Sequence, residues 1–371
     1  MTLISMHAIP GPGNRKNASS ITQPMAESDF EITSFQNEIT ALESQAATEL
    51  RCAAGAVPIR TLPVELFAEI LVLTIRTSDS DVFDSLHIQD AFRVSHVCRY
   101  WRQIANGTPY LWTGPIQVDF SRQRDSADAN GLRTWLERSA PLSVPVMITG
   151  FRHRSWLTES SSRLNEELLR VASRWRSLSM QSIHFTGQAW FVQQLAGRRL
   201  DSLEELELST LSDGRSHLDL TTSSPFPTAP RLRKVAFDMD SGIPMPWAQL
   251  TDMTLTGKIS PEGFLDIFSQ CTNVVRASII IAGWSVVLPP VPTNVLMLNH
   301  LHVLSVTWPQ VEFQFLDCLS APALDELCIC IPFQSSGGSG EWKQPTFTAF
   351  QRRSPHMTKL EIDANGFFRA I

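Results

Sequence analysis

The sequence is short of several residue types, and each shortage excludes a class of protein. Six cysteines in 371 residues, without regular spacing, do not make a disulfide framework and indicate reduced thiols in the cytosol or nucleus. A surplus of basic charge is also missing, because 31 Lys and Arg stand against 37 Asp and Glu, for a net charge of −6. This balance argues against a dedicated binder of nucleic acid or of anionic membranes.

Long apolar runs are equally scarce. The N-terminal segment MTLISMHAIPGPG is interrupted by His7 and by prolines, so no secretory signal is predicted. The most apolar stretch, 277–291, is shorter than a membrane span and contains Pro289 and Pro290. Since 43% of the residues are hydrophobic, the chain can still bury a substantial core. We therefore expect a soluble protein of the cytoplasm, the nucleus or both.

The N-terminal part of the chain divides into two segments. Residues 1–27 lack periodicity and are rich in Ser, Asn, Pro and Gly, which predicts a disordered leader. Residues 28–57 are predicted to form an amphipathic, coiled-coil-like helix, whose apolar positions alternate by three and four: Ile32, Phe35, Ile39, Leu42 and Ala46. Two interpretations remain open, namely a short coiled-coil contact with a partner or a helix packed on its own domain.

Residues 60–112 are far more apolar than a unit of their size can hide. Pro63 suits the first position of a helix, and nine of the fourteen residues from Pro63 to Arg76 are apolar. A second helical stretch leads into HVCRYWRQIANG, in which three side chains share a helix face: Val97, Trp101 and Ile104. Because about fifty residues bury too little to support such helices alone, we predict a docking module.

Four short segments in this module carry a family resemblance: LPVE at 62–65, EIL at 69–71, VCRYWR at 97–102 and LW at 111–112. Together they resemble an F-box over residues 60–115, and in particular the F-box-like proteins expanded in mushroom-forming fungi, which carry a heptad-like helix upstream. The resemblance implies docking on the Skp-type adaptor of a cullin ubiquitin ligase. The adaptor contacts that it implies are Leu62, Pro63, Ile70, Val97, Cys98 and Trp101. Ordinary core packing is the alternative for each of them, and divergent sequences need not keep the contact.

Residues 130–371 repeat one strand template. L-x-x-L-x-L, or a close variant, occurs eight times, and its middle apolar position falls at 178, 206, 235, 253, 277, 304, 327 and 360. The spacing is within or near that of leucine-rich repeats. We therefore predict an α/β fold, in which the N-terminal helical F-box module is followed by a degenerate, irregular leucine-rich-repeat αβ solenoid. Because the chain stops soon after Ile362, either a neighbouring element covers the last repeat or the sequence is a fragment.

The residues between the two inward positions of each strand are predicted to line the open concave surface of the repeats. They are polar and mixed in sign, which suits a protein partner better than a phosphate backbone. The predicted substrate contacts are Glu205, Glu207, Lys234, Asp238, Thr254, Ser278, Ser305, Glu326 and Lys359. A merely solvated face is the alternative interpretation.

The sequence contains no pattern that favours catalysis. Cys328-x-Cys330 lacks the two-residue spacer of common zinc and redox motifs, and His300 and His302 have no further ligands placed beside them. A nucleophile motif of the G-x-S-x-G kind is missing as well. We therefore predict no catalytic residue, no metal and no cofactor.

These observations lead to a hypothesis for function. The chain is predicted to be the non-catalytic, substrate-recognition subunit of a Skp–cullin–F-box ubiquitin ligase, with a Skp-type adaptor, through it a cullin, and an unidentified protein substrate as partners. The alternative is an F-box-like scaffold without a ligase; an enzyme using the repeat face would need a metal or cofactor. Only five of the 31 basic residues are Lys, and none lies in 17–233. This shortage would limit ubiquitination of the chain itself, unless it reflects a genome that favours Arg codons.

Overall fold

A computed structural model gives the fold. It describes residues 34–47, 59–75, 85–120, 126–150, 159–182, 185–210, 226–238, 243–257, 261–281, 295–307, 314–330 and 344–363. The predicted leader, 1–27, lies outside these residues. The chain divides into two compact units, Met1–Phe67 and Ala68–Ile371. None of the helices in the described segments is long and apolar enough to cross a membrane.

The first unit contains the helix predicted from the alternating apolar pattern. Helix α1 occupies 34–47, and the rest of the predicted range, 28–57, lies outside the described residues. Every side chain of α1 is exposed, including the apolar Phe35, Ile39 and Leu42. A short 3-10 turn, Ile59–Thr61, then leads to Leu62 and Pro63.

The predicted F-box region is helical. Its elements are α2 (Val64–Ile75), which begins in the first unit and ends in the second, α3 (Ser85–His96), α4 (Arg99–Asn106) and a 3-10 turn (Pro109–Trp112). Helix α4 ends at Asn106, because the Gly107 N–H donates to the carbonyls of Gln103 and Ile104 at 3.2 and 3.0 Å and Pro109 follows soon after. Leu111 and Trp112 are fully buried.

The remainder of the second unit is built on a ten-stranded parallel sheet. Its strands, in spatial order, are β1 (Ile116–Asp119), β2 (Val144–Thr149), β3 (Trp175–Ser182), β4 (Glu205–Thr210), β5 (Lys234–Asp238), β6 (Asp252–Gly257), β7 (Arg276–Ile281), β9 (Val303–Thr307), β11 (Glu326–Cys330) and β12 (Lys359–Asp363). Spatial order thus follows chain order. Two short strands, β8 (Leu296–Met297) and β10 (Leu319–Ser320), pair separately.

Helices connect several of these parallel strands, as parallel pairing requires. They are α5 (Ser126–Arg138), α6 (Glu159–Arg170), α7 (Phe185–Gln194), α8 (Pro261–Gln270), α9 (Gln314–Asp317) and α10 (Gln344–Arg353). Their largest buried side chains are aromatic, among them Phe191, Phe264, Phe268 and Phe350. The result is a mixed α/β unit with its core between the helices and one face of the sheet.

The strand register explains why the apolar template recurs. The middle positions of all eight matches are paired from strand to strand, beginning with Leu178, Leu206 and Val235, and so are the last positions, beginning with Met180, Leu208 and Phe237. These two rows are buried as far as β11, whereas Leu360 and Ile362 on β12 are nearly half exposed. Each repeat of the template therefore contributes one pair of side chains to a continuous core.

The sheet begins earlier than residue 130. Strands β1 and β2 precede the first template match and continue both buried rows through Ile116 and Val118 and through Val146 and Ile148. The template does not match β1 or β2, because the first apolar position of L-x-x-L-x-L is occupied by Thr113 before β1 and by Ser143 before β2. In β2 the register shifts between Val144 and Pro145. Val144 therefore lies opposite Trp175, although it is one residue further along the chain than the template requires.

Candidate functional site

Helix α2 has two apolar faces, of which one is buried and the other is exposed. One face is buried, through Phe67, Leu71 and Ile75. The other is exposed, and its side chains recur with spacings of four and three residues: Leu66, Ile70 and Leu73. Ile70, one of the predicted adaptor contacts, is 41% exposed and is therefore not a core residue here. Large apolar side chains that recur on an exposed helix face are typical of a binding surface.

The start of α2 holds two further predicted contacts. The Pro63 carbonyl accepts the Phe67 N–H at 3.0 Å, so Pro63 is the N-cap residue and the helix begins one residue later than the sequence predicts. Pro63 is exposed and Leu62 is half-buried. The Leu62 N–H donates to the Ile59 carbonyl at 3.4 Å, which closes the preceding turn.

The corner between α3 and α4 brings together the other three predicted contacts. Val97 is 59% exposed, whereas Cys98 and Trp101 are half-buried. Cys98 is the extended N-cap residue of α4, and its carbonyl accepts the Arg102 N–H at 3.0 Å while its thiol makes no capping bond. Arg102 also donates from Nε to the Ser95 carbonyl at 3.1 Å, across the corner. This corner is therefore braced by Arg102 with an exposed valine at its tip.

An aromatic cluster joins helices α3 and α4 to helix α5 within the second unit. The Trp112 indole N–H donates to the Ala105 carbonyl at 2.8 Å, and its ring lies edge to face with Trp135 of α5 at a centroid distance of 5.0 Å. Phe92 of α3 contacts both rings at 5.8 Å. The Arg138 guanidinium lies over the Trp112 ring, 4.5 Å from its centroid. Sequence reasoning missed this cluster, although LW at 111–112 was part of the motif.

Helices α5 and α6 are linked by a mostly buried carboxylate. Glu167 accepts from Arg133 Nε at 2.8 Å and from Arg170 Nε at 3.0 Å. Burial alone would raise the pKa of Glu167, but the hydrogen bonds and charges of the two guanidinium groups outweigh it, and the pKa is lowered. Glu167 is therefore a charged structural residue.

The face of the sheet opposite the buried rows carries the predicted substrate contacts. Its first row pairs Glu205 with Lys234, whose Nζ lies 3.3 Å from Glu205 Oε1. Further along the same row Lys359 pairs with Glu326. Between these pairs lies a third that the sequence analysis did not select, Asp252 with Arg276, at 3.3 Å. The charges of this row are therefore satisfied within the sheet.

The second row of this face is lined mainly by small side chains. The predicted contacts Thr254, Ser278 and Ser305 lie side by side in it and are half-buried. At one end of the row, Glu207 accepts hydrogen bonds from Ser179 Oγ at 2.8 Å and from Ser209 Oγ at 3.2 Å. Asp238 is the last residue of β5. The structure thus brings all nine predicted contacts onto one sheet.

Two cysteines continue this face on β11. Cys328 lies in register with Ser305, and Cys330 with Thr307. Their sulfurs are 3.7 Å apart, and both side chains are half-buried. Burial, the neighbouring Cys330 and the charge of Glu361 raise the pKa of Cys328 to about 11. Their spacing along the sequence does not indicate this proximity.

The two histidines considered as metal ligands lie just before β9. His302 Nδ1 is 2.7 Å from Asp325 Oδ2, and both histidines line an open cavity of about 480 Å³ together with Arg233. Over the part of the chain that the structure describes, no group of three or more His, Cys, Asp or Glu residues could hold a metal ion.

Comparison with known proteins identifies one region. Residues 59–117 match the family model described as F-box-like, a range that extends from the turn before α2 to the first residues of β1. No curated protein matches the chain. The match confirms the F-box part of the sequence resemblance. The chain therefore contains an F-box-like domain, the kind of domain that generally serves as a non-catalytic protein-interaction adaptor, commonly in Skp–cullin–F-box complexes.

Proposed function

We propose that the protein is the substrate-recognition subunit of a Skp–cullin–F-box ubiquitin ligase. The observation that carries this proposal is the F-box-like domain at 59–117, within which apolar side chains remain exposed. F-box-like domains typically bind Skp-type adaptors, and an adaptor would cover such side chains. The proposed contacts are Leu62, Pro63, Ile70, Val97, Cys98 and Trp101.

The parallel sheet is the proposed substrate-binding part, and we interpret it as a degenerate leucine-rich-repeat solenoid. Its chain-order strands and its register of apolar pairs support this interpretation. Its polar face would bind a protein substrate. The small side chains of the second row are the better candidates for direct contact, because the charges of the first row already satisfy one another.

The physical contribution of such a subunit is proximity. An adaptor bound to the F-box-like domain connects it to a cullin and a ubiquitin-conjugating enzyme, and a substrate held on the sheet is then presented at a high effective concentration. The contact between Trp112 and Trp135 supports this role, since it packs the turn that follows α4 against α5, the helix between the first two strands. We place the protein in the cytoplasm, the nucleus or both.

Co-purification of the tagged full-length chain tests the proposal. We expect a Skp-type adaptor and a cullin to be recovered together, and both to be lost with the variant Leu62→Ala/Pro63→Ala. A matched control is Thr254→Ala, which lies on the sheet and should leave both partners bound. Recovery of the adaptor without a cullin would favour the alternative, an F-box-like scaffold outside any ligase. Recovery of neither would contradict the ligase function and would leave only the scaffold.

A further inference from the structure

The thiols of Cys328 and Cys330 form a close pair on the exposed face of β11. Residues two apart on a strand share a face, and here their sulfurs lie 3.7 Å from each other. Neither side chain belongs to the buried rows, which on β11 are occupied by Leu327 and Ile329. The pair therefore remains reachable from solvent, and neither thiol has a role in packing the core.

The surroundings of the pair are polar and supply oxygen atoms. On one side the strand register places Ser305 and Thr307 of β9, and on the other side it places Glu361 and Asp363 of β12. Hydroxyl and carboxylate groups beside two sulfurs favour a bound cation rather than an apolar ligand.

The spacing of the two cysteines favours joint binding of one ion over formation of a disulfide. Cα atoms two residues apart on a strand are about 6.6 Å from each other, at the upper end of the range that a disulfide tolerates. In contrast, two thiolates bound to one tetrahedral ion at about 2.3 Å lie roughly 3.8 Å apart. The observed separation of 3.7 Å matches the second arrangement without movement of the strand.

We propose that Cys328 and Cys330 form a two-sulfur site for a thiophilic metal ion or metalloid, such as Cd²⁺, Zn²⁺ or trivalent arsenic. On binding, two S–H bonds break and two bonds from sulfur to the metal or metalloid form. With Cd²⁺ or Zn²⁺ two protons leave, and with an arsenoxide the two protons leave with its oxygen as water; no atom changes its oxidation state. The described residues add no third His, Cys, Asp or Glu ligand in position. The remaining coordination positions of the cation are therefore filled by water or by its own substituents. The pair lies on the sheet face proposed to bind substrate, but the cation site does not depend on the ligase function.

Phenylarsine oxide is the sharpest probe, because its arsenic forms two bonds to a dithiol and releases its oxygen as water. We expect the reduced full-length chain to take up one equivalent, detected by native mass spectrometry. The adduct should survive excess glutathione, a monothiol, and should be removed by ethanedithiol. With Cys328→Ser or Cys330→Ser the arsenic would keep one bond, and its resistance to glutathione should fall roughly 100-fold or more, since the effective concentration of the second sulfur is lost.

A rescue variant distinguishes proximity from a general effect of losing a cysteine. Ser305 lies directly opposite Cys328, so Cys330→Ser/Ser305→Cys rebuilds a thiol pair across two strands and should restore the glutathione-resistant adduct. Circular dichroism checks that every variant is folded. Titration of the same variants with Cd²⁺ and with Zn²⁺ shows which cations the site accepts besides arsenic. An adduct of the wild-type chain that glutathione removes, or one that persists in Cys328→Ser/Cys330→Ser, would overturn the proposal.

Discussion

The rings of Trp112 and Trp135 meet edge to face, with their centroids 5.0 Å apart and their planes at 81°. Trp112 ends the helical part of the F-box-like domain, and Trp135 lies on α5, the helix between the first two strands of the sheet. Because both side chains are buried, and because Trp112 also bonds to the Ala105 carbonyl, the contact packs the end of α4 against α5. Within the second unit, the end of the F-box-like domain and helix α5 thus share a packed contact.

Removal of the Trp112 ring should destabilise this interface strongly. We expect Trp112→Ala to lower the free energy of unfolding by about 3–5 kcal/mol, because the change leaves a large cavity. Urea unfolding followed by circular dichroism measures the change. A loss below about 1 kcal/mol would show that the ring does not belong to the core.

Gly114 is expected to be required for close packing. A Cβ at this position would lie 2.1 Å from Cδ2 of His87, whose ring nitrogen Nε2 is 3.3 Å from the Leu111 carbonyl. We expect Gly114→Ala to lower the thermal midpoint of unfolding. The matched control is Gly131→Ala in α5, where a Cβ meets nothing within 4 Å and should add about 0.5–1 kcal/mol of stability. Equal effects of the two substitutions would contradict this account.

Stability should depend on pH through Glu167. Its pKa is lower in the folded chain than in the unfolded chain, so its contribution is fully present above the unfolded pKa and is lost as the pH falls through the folded pKa. We expect Glu167→Gln to lower the midpoint of unfolding at pH 7 and to have a smaller effect near pH 3. Differential scanning calorimetry at both values measures this, and an effect that is equal at both would be inconsistent with a charged Glu167.

The ion pairs of the first row should contribute little to stability. Glu205 and Lys234 are both about half exposed, so a double-mutant cycle with Glu205→Gln and Lys234→Met should give a coupling of about 0.2–1 kcal/mol that decreases at high salt. Urea unfolding at two salt concentrations provides the four values. A coupling above about 2 kcal/mol would show that the pair is shielded from solvent.

Much of the sheet could be predicted from the sequence, because each strand contributes buried side chains at the same positions of a recurring apolar pattern. The eight template matches all lie on strands in mutual register. Strands β1 and β2 could not be found in this way, since one position of each is not apolar and β2 contains a register shift. The predicted adaptor contacts came from a motif, and the structure adds that Ile70 and Val97 are exposed.

Two of the features that the sequence does not indicate are contacts between distant parts of the chain. The pairing of Asp252 with Arg276 and the contact of Trp112 with Trp135 join residues on separate elements, and no local spacing indicates them. The thiol pair does not stand out in the sequence, because Cys328-x-Cys330 lacks the two-residue spacer of common zinc and redox motifs. On a strand, however, the same spacing places both sulfurs on one face.

Binding of the purified full-length chain to a purified Skp-type adaptor, measured by calorimetry, tests the central claim most directly. We predict saturable one-to-one binding, weakened at least tenfold, or by about 1.4 kcal/mol, in Ile70→Asp and in Val97→Asp. The control Val295→Asp changes an apolar side chain of similar exposure outside the F-box-like domain and should bind like the wild type. Absence of binding by the folded wild-type chain, or equal binding by all four proteins, would contradict the account.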